Sequence, residues 1–256
     1  MPERRPVIAV SGSNKDVGKS SLAARVIARL RVCAAAKFSV HGTDPEGEPI
    51  VEERDPGKDN DTSRMLRAGA RPVLWVRSTH KTLPRLVEEV LRRTEGLPLV
   101  VEGNSVLEHL RCDYVVFVMG PGFEDFKPSA WEALRRADTV MVNGSVRPAP
   151  KEALRLEREI KGHNPRAKVV FAAERGEEAS YSIILSRMAG RIGGGFFVEQ
   201  SEEKVAEALK ERAEEGRIAC ADALRLAEEL GVPPLEVGKA ANELNIKIVR
   251  CSLGCF

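Results

Sequence analysis

The sequence predicts an α/β protein. A mainly parallel sheet is covered by helices on both faces, and a small, mainly helical domain follows at the C-terminal end. Three observations predict this. Short, nearly pure apolar runs such as Val7-Ile8-Ala9-Val10 and Tyr114-Val115-Val116-Phe117-Val118 alternate with amphipathic stretches. Strands that are apolar throughout are those buried on both faces of a parallel sheet. Beyond Ala189, glycines crowd at 190, 193, 194 and 195 and the character changes to charged helices, so the domains are read as 1–195 and 201–256.

The elements follow in order. Val7 to Val10 is a strand, and residues 20–32 form a helix with Leu22, Val26, Ile27 and Leu30 inward. Residues 37–40 are a second strand. A long polar connection over 41–61 carries Pro45, Gly47, Pro49, Pro56 and Gly57. Structureless connections of that length are usually functional or disordered. Helices are predicted over 62–70, 82–93, 129–136 and 151–161. Strands are predicted over 72–76, 98–101, 114–118, 139–142 and 168–171. Leu83, Leu86, Val87, Val90 and Leu91 form one apolar stripe. In the second domain, helices are predicted over 201–214 and 221–230, with a third from Pro233-Pro234 to about Leu244, and a strand over 246–249.

Composition excludes several function classes. With 43% hydrophobic and 30% charged residues the chain is globular rather than disordered. Its 256 residues suffice for a full core plus an appendage. Net charge is only +2, so nucleic acid is not expected as the main partner. No apolar run has the length of a membrane span, and the N-terminus leads straight into a strand without a leader-like stretch. Five cysteines without a framework fit a reducing compartment, and the expectation is a cytoplasmic protein.

The stretch with the most chemistry is Gly12-Ser13-Asn14-Lys15-Asp16-Val17-Gly18-Lys19-Ser20-Ser21. It lies between a strand and a helix. Backbone N–H groups in such a loop converge on one spot and favour an anion there. Gly18 allows close approach, Lys19 would reach the β- and γ-phosphates, and the Ser20 hydroxyl would ligate Mg²⁺. The usual spacing places a glycine where Ser13 stands, and Gly12 is one residue further out. Glu102 ends an apolar strand and is followed by Gly103. In nucleotide hydrolases an acid there holds Mg²⁺. Asn143 ends another strand and could offer donor and acceptor to a nucleotide base. Asp55-Pro56-Gly57-Lys58-Asp59 with Asp61-Thr62 is an acidic turn leading into a helix capped by Asp61 or Thr62.

These residues carry a resemblance. The loop is similar to that of dethiobiotin synthetase and its relatives. The order of phosphate loop, Asp55 to Thr62 segment, Arg64, Ala68-Gly69-Ala70 and Glu102-Gly103 resembles the molybdopterin-guanine dinucleotide biosynthesis protein B family. The acidic segment is two residues longer here than is usual in that family. The resemblance implies a P-loop NTPase fold that binds GTP with Mg²⁺, hydrolyses it slowly and is accessory to molybdenum-cofactor or other metal-cofactor biosynthesis. A protein of such a pathway would be its partner, and a homodimer is implied as well. It also implies that Asp59 or Asp61 sits near the γ-phosphate, with Asp59 beside Ser20 and Glu102 at the metal. Lys15 is one residue from the position of a partner-contacting lysine in related partition ATPases. ATP instead of GTP stays open.

The C-terminal segment has a helix-turn-helix outline, with the strand over 246–249 as a wing. Its second helix carries Glu236, Lys239 and Glu243 and so lacks a basic face. Cys251 and Cys255, with Cys220 upstream, could ligate Zn²⁺ or an iron–sulfur cluster. Two other readings compete with a hydrolase. One is an ATP-dependent ligase resembling dethiobiotin synthetase, with Lys15, Lys58 or Lys127 at its substrate. The other is a nucleotide-sensing regulator whose second domain binds a partner or DNA.

Overall fold

The structure, a computed structural model, describes residues 5–124, 126–173, 178–197, 202–230, 232 and 234–250. An eight-stranded sheet organises the first part. Its strands are β1 (Val7–Gly12), β2 (Ala34–Val40), β3 (Ile50–Glu52), β4 (Val73–Ser78), β5 (Leu99–Glu102), β6 (Tyr114–Met119), β7 (Thr139–Gly144) and β8 (Lys168–Ala173), in the order β3-β4-β2-β5-β1-β6-β7-β8. Every pairing is parallel except that of β3 with β4. This is the expected α/β architecture, a mainly parallel sheet.

Side chains alternate across the strands and feed two cores. On one face Ile8, Val10, Ala35, Val73 and Val100 pack under α1 (Lys19–Arg29), α2 (Asp61–Arg67) and an additional helix, Glu178–Ile192. On the other, Ala9, Ala36, Leu74, Val101 and Phe117 meet α3 (Leu83–Arg93), α4 (Pro128–Arg136) and α5 (Pro150–His163). The additional helix is α6. In α1, Leu22, Ala23, Val26 and Ile27 are buried at helical spacing. Each full-size side chain among them is worth about 1.5–3 kcal/mol of burial.

Four readings are corrected. The polar connection over 41–61 is not structureless, because β3 lies inside it as an antiparallel edge strand. Three residues are too few to show a period. The second strand begins at Ala34 rather than at Lys37. Three fully buried alanines form its first half, and a helix-favouring residue type masked it. Leu91 is 40% exposed, so it stands outside the apolar stripe of α3. Helix α6 went unread, although Tyr181, Ile184, Leu185 and Met188 are buried with helical spacing and Gly190 lies within the helix.

The C-terminal part consists of α7 (Glu202–Arg212), β9 (Arg217–Ala219), α8 (Cys220–Leu230), α9 (Pro234–Glu243) and β10 (Lys247–Val249). Its core of Val205, Leu209, Ile218, Leu226, Val237 and Ala241 shares no residue with the two sheet cores. The predicted wing is instead one strand of a parallel pair. β10 lies beside β9, with Ala219 opposite Val249. A wing hairpin would need an antiparallel neighbour joined by a short turn. Among the described residues no helix is long and apolar enough to cross a membrane.

Candidate functional site

The strand order puts β1 between β5 and β6, so the loop after β1 emerges at the C-terminal edge of the sheet, where ligands of open α/β sheets bind. An open cavity of about 2060 Å³ lies there. Gly12, Ser13, Asn14, Lys15, Asp16, Gly18, Lys19, Ser20 and Ser21 all line it, together with Lys37, Asp61 and Glu102. Ser13 to Gly18 connect β1 to α1, which opens with Lys19 and Ser20. Gly18 precedes the helix at φ 105°, and Asp16 takes φ 58°, so the loop makes two left-handed turns. Gly12 is required by contact: a Cβ there would lie 2.5 Å from the Val118 carbonyl oxygen.

Two asparagines hold the loop from opposite sides. The Gly12 N–H donates to Asn104 Oδ1 at 3.0 Å, and Asn104 Nδ2 donates back to the Gly12 carbonyl at 2.9 Å. Asn143 Nδ2 donates to the Val17 carbonyl at 2.9 Å. Ser13 N–H donates to the Val118 carbonyl at 2.9 Å. Asn104 was missed as a site residue, although its place directly after Glu102-Gly103 at a strand end was a usable signal. Asn143 was expected to face a base. Its amide nitrogen is engaged by the loop, it is 7% exposed, and it is absent from the cavity lining. Val17 and Asp59 also lie outside that lining.

Glu102 is buried, at 3% exposure, rather than facing solvent. Lys37 Nζ donates to its Oε1 at 3.3 Å and also to Asp61. Glu102 Oε2 is buried with no hydrogen-bond partner among the described residues. An orphaned carboxylate oxygen in such a place is costly unless something meets it. The donor set fits a hard dication: Glu102 Oε2 and the Ser20 hydroxyl are oxygen donors lining one cavity. Burial pulls the Lys19 ammonium below its ordinary range; Glu102 opposes that pull, Lys37 adds to it and Asp16 opposes it. Lys19 Nζ donates to the Asn14 carbonyl within the loop. Lys37 was missed because a single lysine in an apolar strand carries no motif.

The acidic turn is organised by Glu53, a residue outside the predicted set. Its carboxylate accepts from Asp55 N–H at 3.1 Å, Lys58 Nζ at 3.2 Å, Thr62 Oγ1 at 3.0 Å and Asn60 Nδ2 at 3.3 Å. The cap of α2 is Asn60, whose Oδ1 accepts from Ser63 N–H at 2.7 Å, rather than Asp61 or Thr62. Burial would raise the Glu53 carboxyl, but the bonds from Asp55, Lys58, Thr62 and Asn60 outweigh it and hold it at about 2. The folded value lies below the ordinary one. Stability from this group is therefore present above the ordinary carboxylate range and lost as pH falls through it towards 2. Glu53→Gln is expected to cost about 1–2 kcal/mol at neutral pH. It should also flatten the loss of stability between pH 4.5 and pH 2. Urea unfolding at pH 7 and pH 3 measures both, and an unchanged acid slope would refute the role.

The same cavity is also lined by Glu108, His109, Lys127, Ser129, Glu132 and Arg136 and by His41, His80 and Arg64. His41, His80 and His109, far apart in the sequence, thus line one cavity. Of the lysines considered for a second substrate, Lys15 and Lys127 line it and Lys58 does not.

Of the cysteines, burial pushes Cys33 and Cys112 up to about 12, with Asp113 and Asp138 adding to the effect at Cys112. Both stay protonated and poor as ligands. Cys220 opens α8 and is half-buried. Cys251 and Cys255 lie outside the described residues. Among the described residues no group of three metal-ligating side chains occurs.

No protein-family profile matches the chain. No curated protein matches it in sequence. Among solved structures, the chain is similar to the hydrogenase maturation factor HypB from Archaeoglobus fulgidus, at 18% identity and a TM-score of 0.48, over 74% of this chain and 91% of that one. A Zn(II)-bound triple mutant of the YjiA GTPase is similar at 11% identity and a TM-score of 0.34, over 66% of this chain and 58% of that one.

Proposed function

We propose that this protein binds a nucleoside triphosphate with Mg²⁺ in the cavity at the C-terminal edge of its sheet and hydrolyses it. The observation that carries this is the buried Glu102, with an unpartnered oxygen, in the same cavity as the phosphate loop. The loop residues from Gly12 to Ser21 cradle the phosphates through their backbone. Lys19 neutralises charge on the β- and γ-phosphates, a position its burial makes ready for an anion. Ser20 and Glu102 hold Mg²⁺, which when bound withdraws charge from the phosphate oxygens. Of the two acids assigned to the γ-phosphate side, Asp61 lines the cavity and Asp59 lies outside its lining. Asp61 therefore takes the water-positioning role, and Asp59 acts only through the turn it belongs to. Catalysis rests on positioning and electrostatics. GTP is the first choice of substrate and ATP the second. Phosphate release measured with each nucleotide, with and without Mg²⁺, tests the reading; no release and no binding with either nucleotide would end it.

The setting proposed is metal-cofactor biosynthesis, molybdenum cofactor first, with a protein of that pathway as partner and a homodimer as the working assembly. It rests on the sequence order from the phosphate loop through Asp55 to Glu102-Gly103. A ligase is the second reading. It is favoured by the extension of the cavity to Lys127, Ser129 and Arg136, beyond the phosphate loop. Phosphate release only with an added carboxylic acid would select it.

Residues 201–256 are proposed to be a separate domain, on the strength of their own core. The regulator reading assigns partner binding to it. Cys220, Cys251 and Cys255 are proposed as a Zn²⁺ or iron–sulfur site. The parallel register of Ala219 with Val249 supports this, because it brings the start of α8 beside the chain two residues before Cys251. Cys251→Ser is expected to lower bound metal at least severalfold in protein purified without oxygen. Elemental analysis reads it, and metal-free wild-type protein would sink the proposal.

A further inference from the structure

Lys37 stands in register with Glu102 across the β2–β5 pair, so the two side chains share a face of the sheet. The lysine ammonium bridges Glu102 Oε1, at 3.3 Å, and Asp61, the first residue of α2. Its side chain is 23% exposed and that of Glu102 4%, so the pair is shielded from water and its electrostatics are weakly screened. One oxygen of Glu102 is thereby covered and the other left without a partner. An ammonium has three donors and no acceptor, and it cannot share a carboxylate with a dication a few ångströms away without strong repulsion.

We infer that Lys37 is a resident counter-charge that competes with a divalent cation for Glu102, so that loading the cation releases this lysine from Glu102 and Asp61 towards the phosphates. The inference deepens the nucleotide reading and rests on it for the identity of the anion that receives Lys37. The flexible four-carbon stem permits the move. Lys37 already lines the same cavity as Lys19, so its new acceptors are phosphate oxygens in that cavity. Cation loading and phosphate binding then support each other. The cation frees a lysine that the phosphates need, and the phosphates hold the lysine away from the cation's ligands. Asp61 loses its partner in the same step, which ties the start of α2 to the state of the site.

The test uses the whole protein and Mn²⁺ alone, titrated by electron paramagnetic resonance without nucleotide. Lys37→Met, which keeps the stem and removes the charge, is expected to bind Mn²⁺ at least tenfold more tightly than the wild type. Equal or weaker binding, or no binding to either protein, overturns the inference. A second measurement needs no variant. Acetylation of Lys37 in the wild type, read by mass spectrometry, should rise with saturating Mg²⁺ and fall again when a non-hydrolysable triphosphate is added. Acetylation that ignores Mg²⁺ overturns the inference. Failure of the nucleotide reading looks different: no triphosphate binds, while the Mn²⁺ and Mg²⁺ responses of Lys37 persist.

Discussion

Lys19→Ala should abolish triphosphate binding while leaving the protein folded. The loss expected is about 3–5 kcal/mol, or two to three and a half orders of magnitude in affinity, from charge-assisted contacts to two phosphates in a partly buried site. Equilibrium binding of a fluorescent triphosphate measures it. The stability effect should run the other way. Burial depresses the Lys19 ammonium, so at neutral pH the folded chain carries a charge that it holds less favourably than the unfolded chain does. Below the folded value both states are protonated and the cost is complete; it is relieved as pH rises through that value. Removing the lysine at pH 7 therefore removes a cost, and the melting temperature of Lys19→Ala without nucleotide should match or exceed that of the wild type. Wild-type affinity in this variant would remove the phosphate loop from the mechanism. A large fall in melting temperature would refute the electrostatic account of Lys19.

Glu102→Gln should separate binding from turnover. The amide keeps the shape of the buried carboxylate but offers a dication a neutral oxygen. Hydrolysis is expected to fall by a factor of about 10²–10³, the range seen when a single electrostatic group is removed from an active site. Mg²⁺ dependence should shift to much higher concentrations, and nucleotide affinity without Mg²⁺ should change little. Phosphate release across a Mg²⁺ titration reads the first two, and binding in the presence of a chelator reads the third. A variant with unaltered Mg²⁺ dependence would show that Glu102 holds no cation. The substitution also leaves Lys37 beside one carboxylate instead of two, so a modest loss of stability is expected without added metal.

Much of the fold was legible because its signals are local. A buried parallel strand announces itself as an apolar run, and Val7 to Val10 and Tyr114 to Val118 lie within β1 and β6. The element that was corrected most plainly, β3, owes its existence to β4 beside it rather than to any pattern of its own. The same is true of the wing that became half of a parallel pair, since β9 is three residues long and pairs across α8 and α9. Helix α6 is a different case. Its spacing was present, and a glycine near its end drew the reading towards a linker.

The candidate site divides in the same way. The sequence alone determined the loop between β1 and α1 and the acid at the end of β5, because the residue types and their spacing to neighbouring strand and helix signals lie within a few positions. Only the tertiary structure decided what holds that loop and what faces that acid. Asn104 and Asn143 bond to the loop across 92 and 126 residues of chain, and Lys37 meets Glu102 across 65. Glu53, not the predicted aspartates, gathers the turn before α2. Spacing along a chain records the local geometry of a strand, turn or helix. Which polar group is buried beside which other depends on strand order, and strand order is set by how whole faces of helices and sheet pack together.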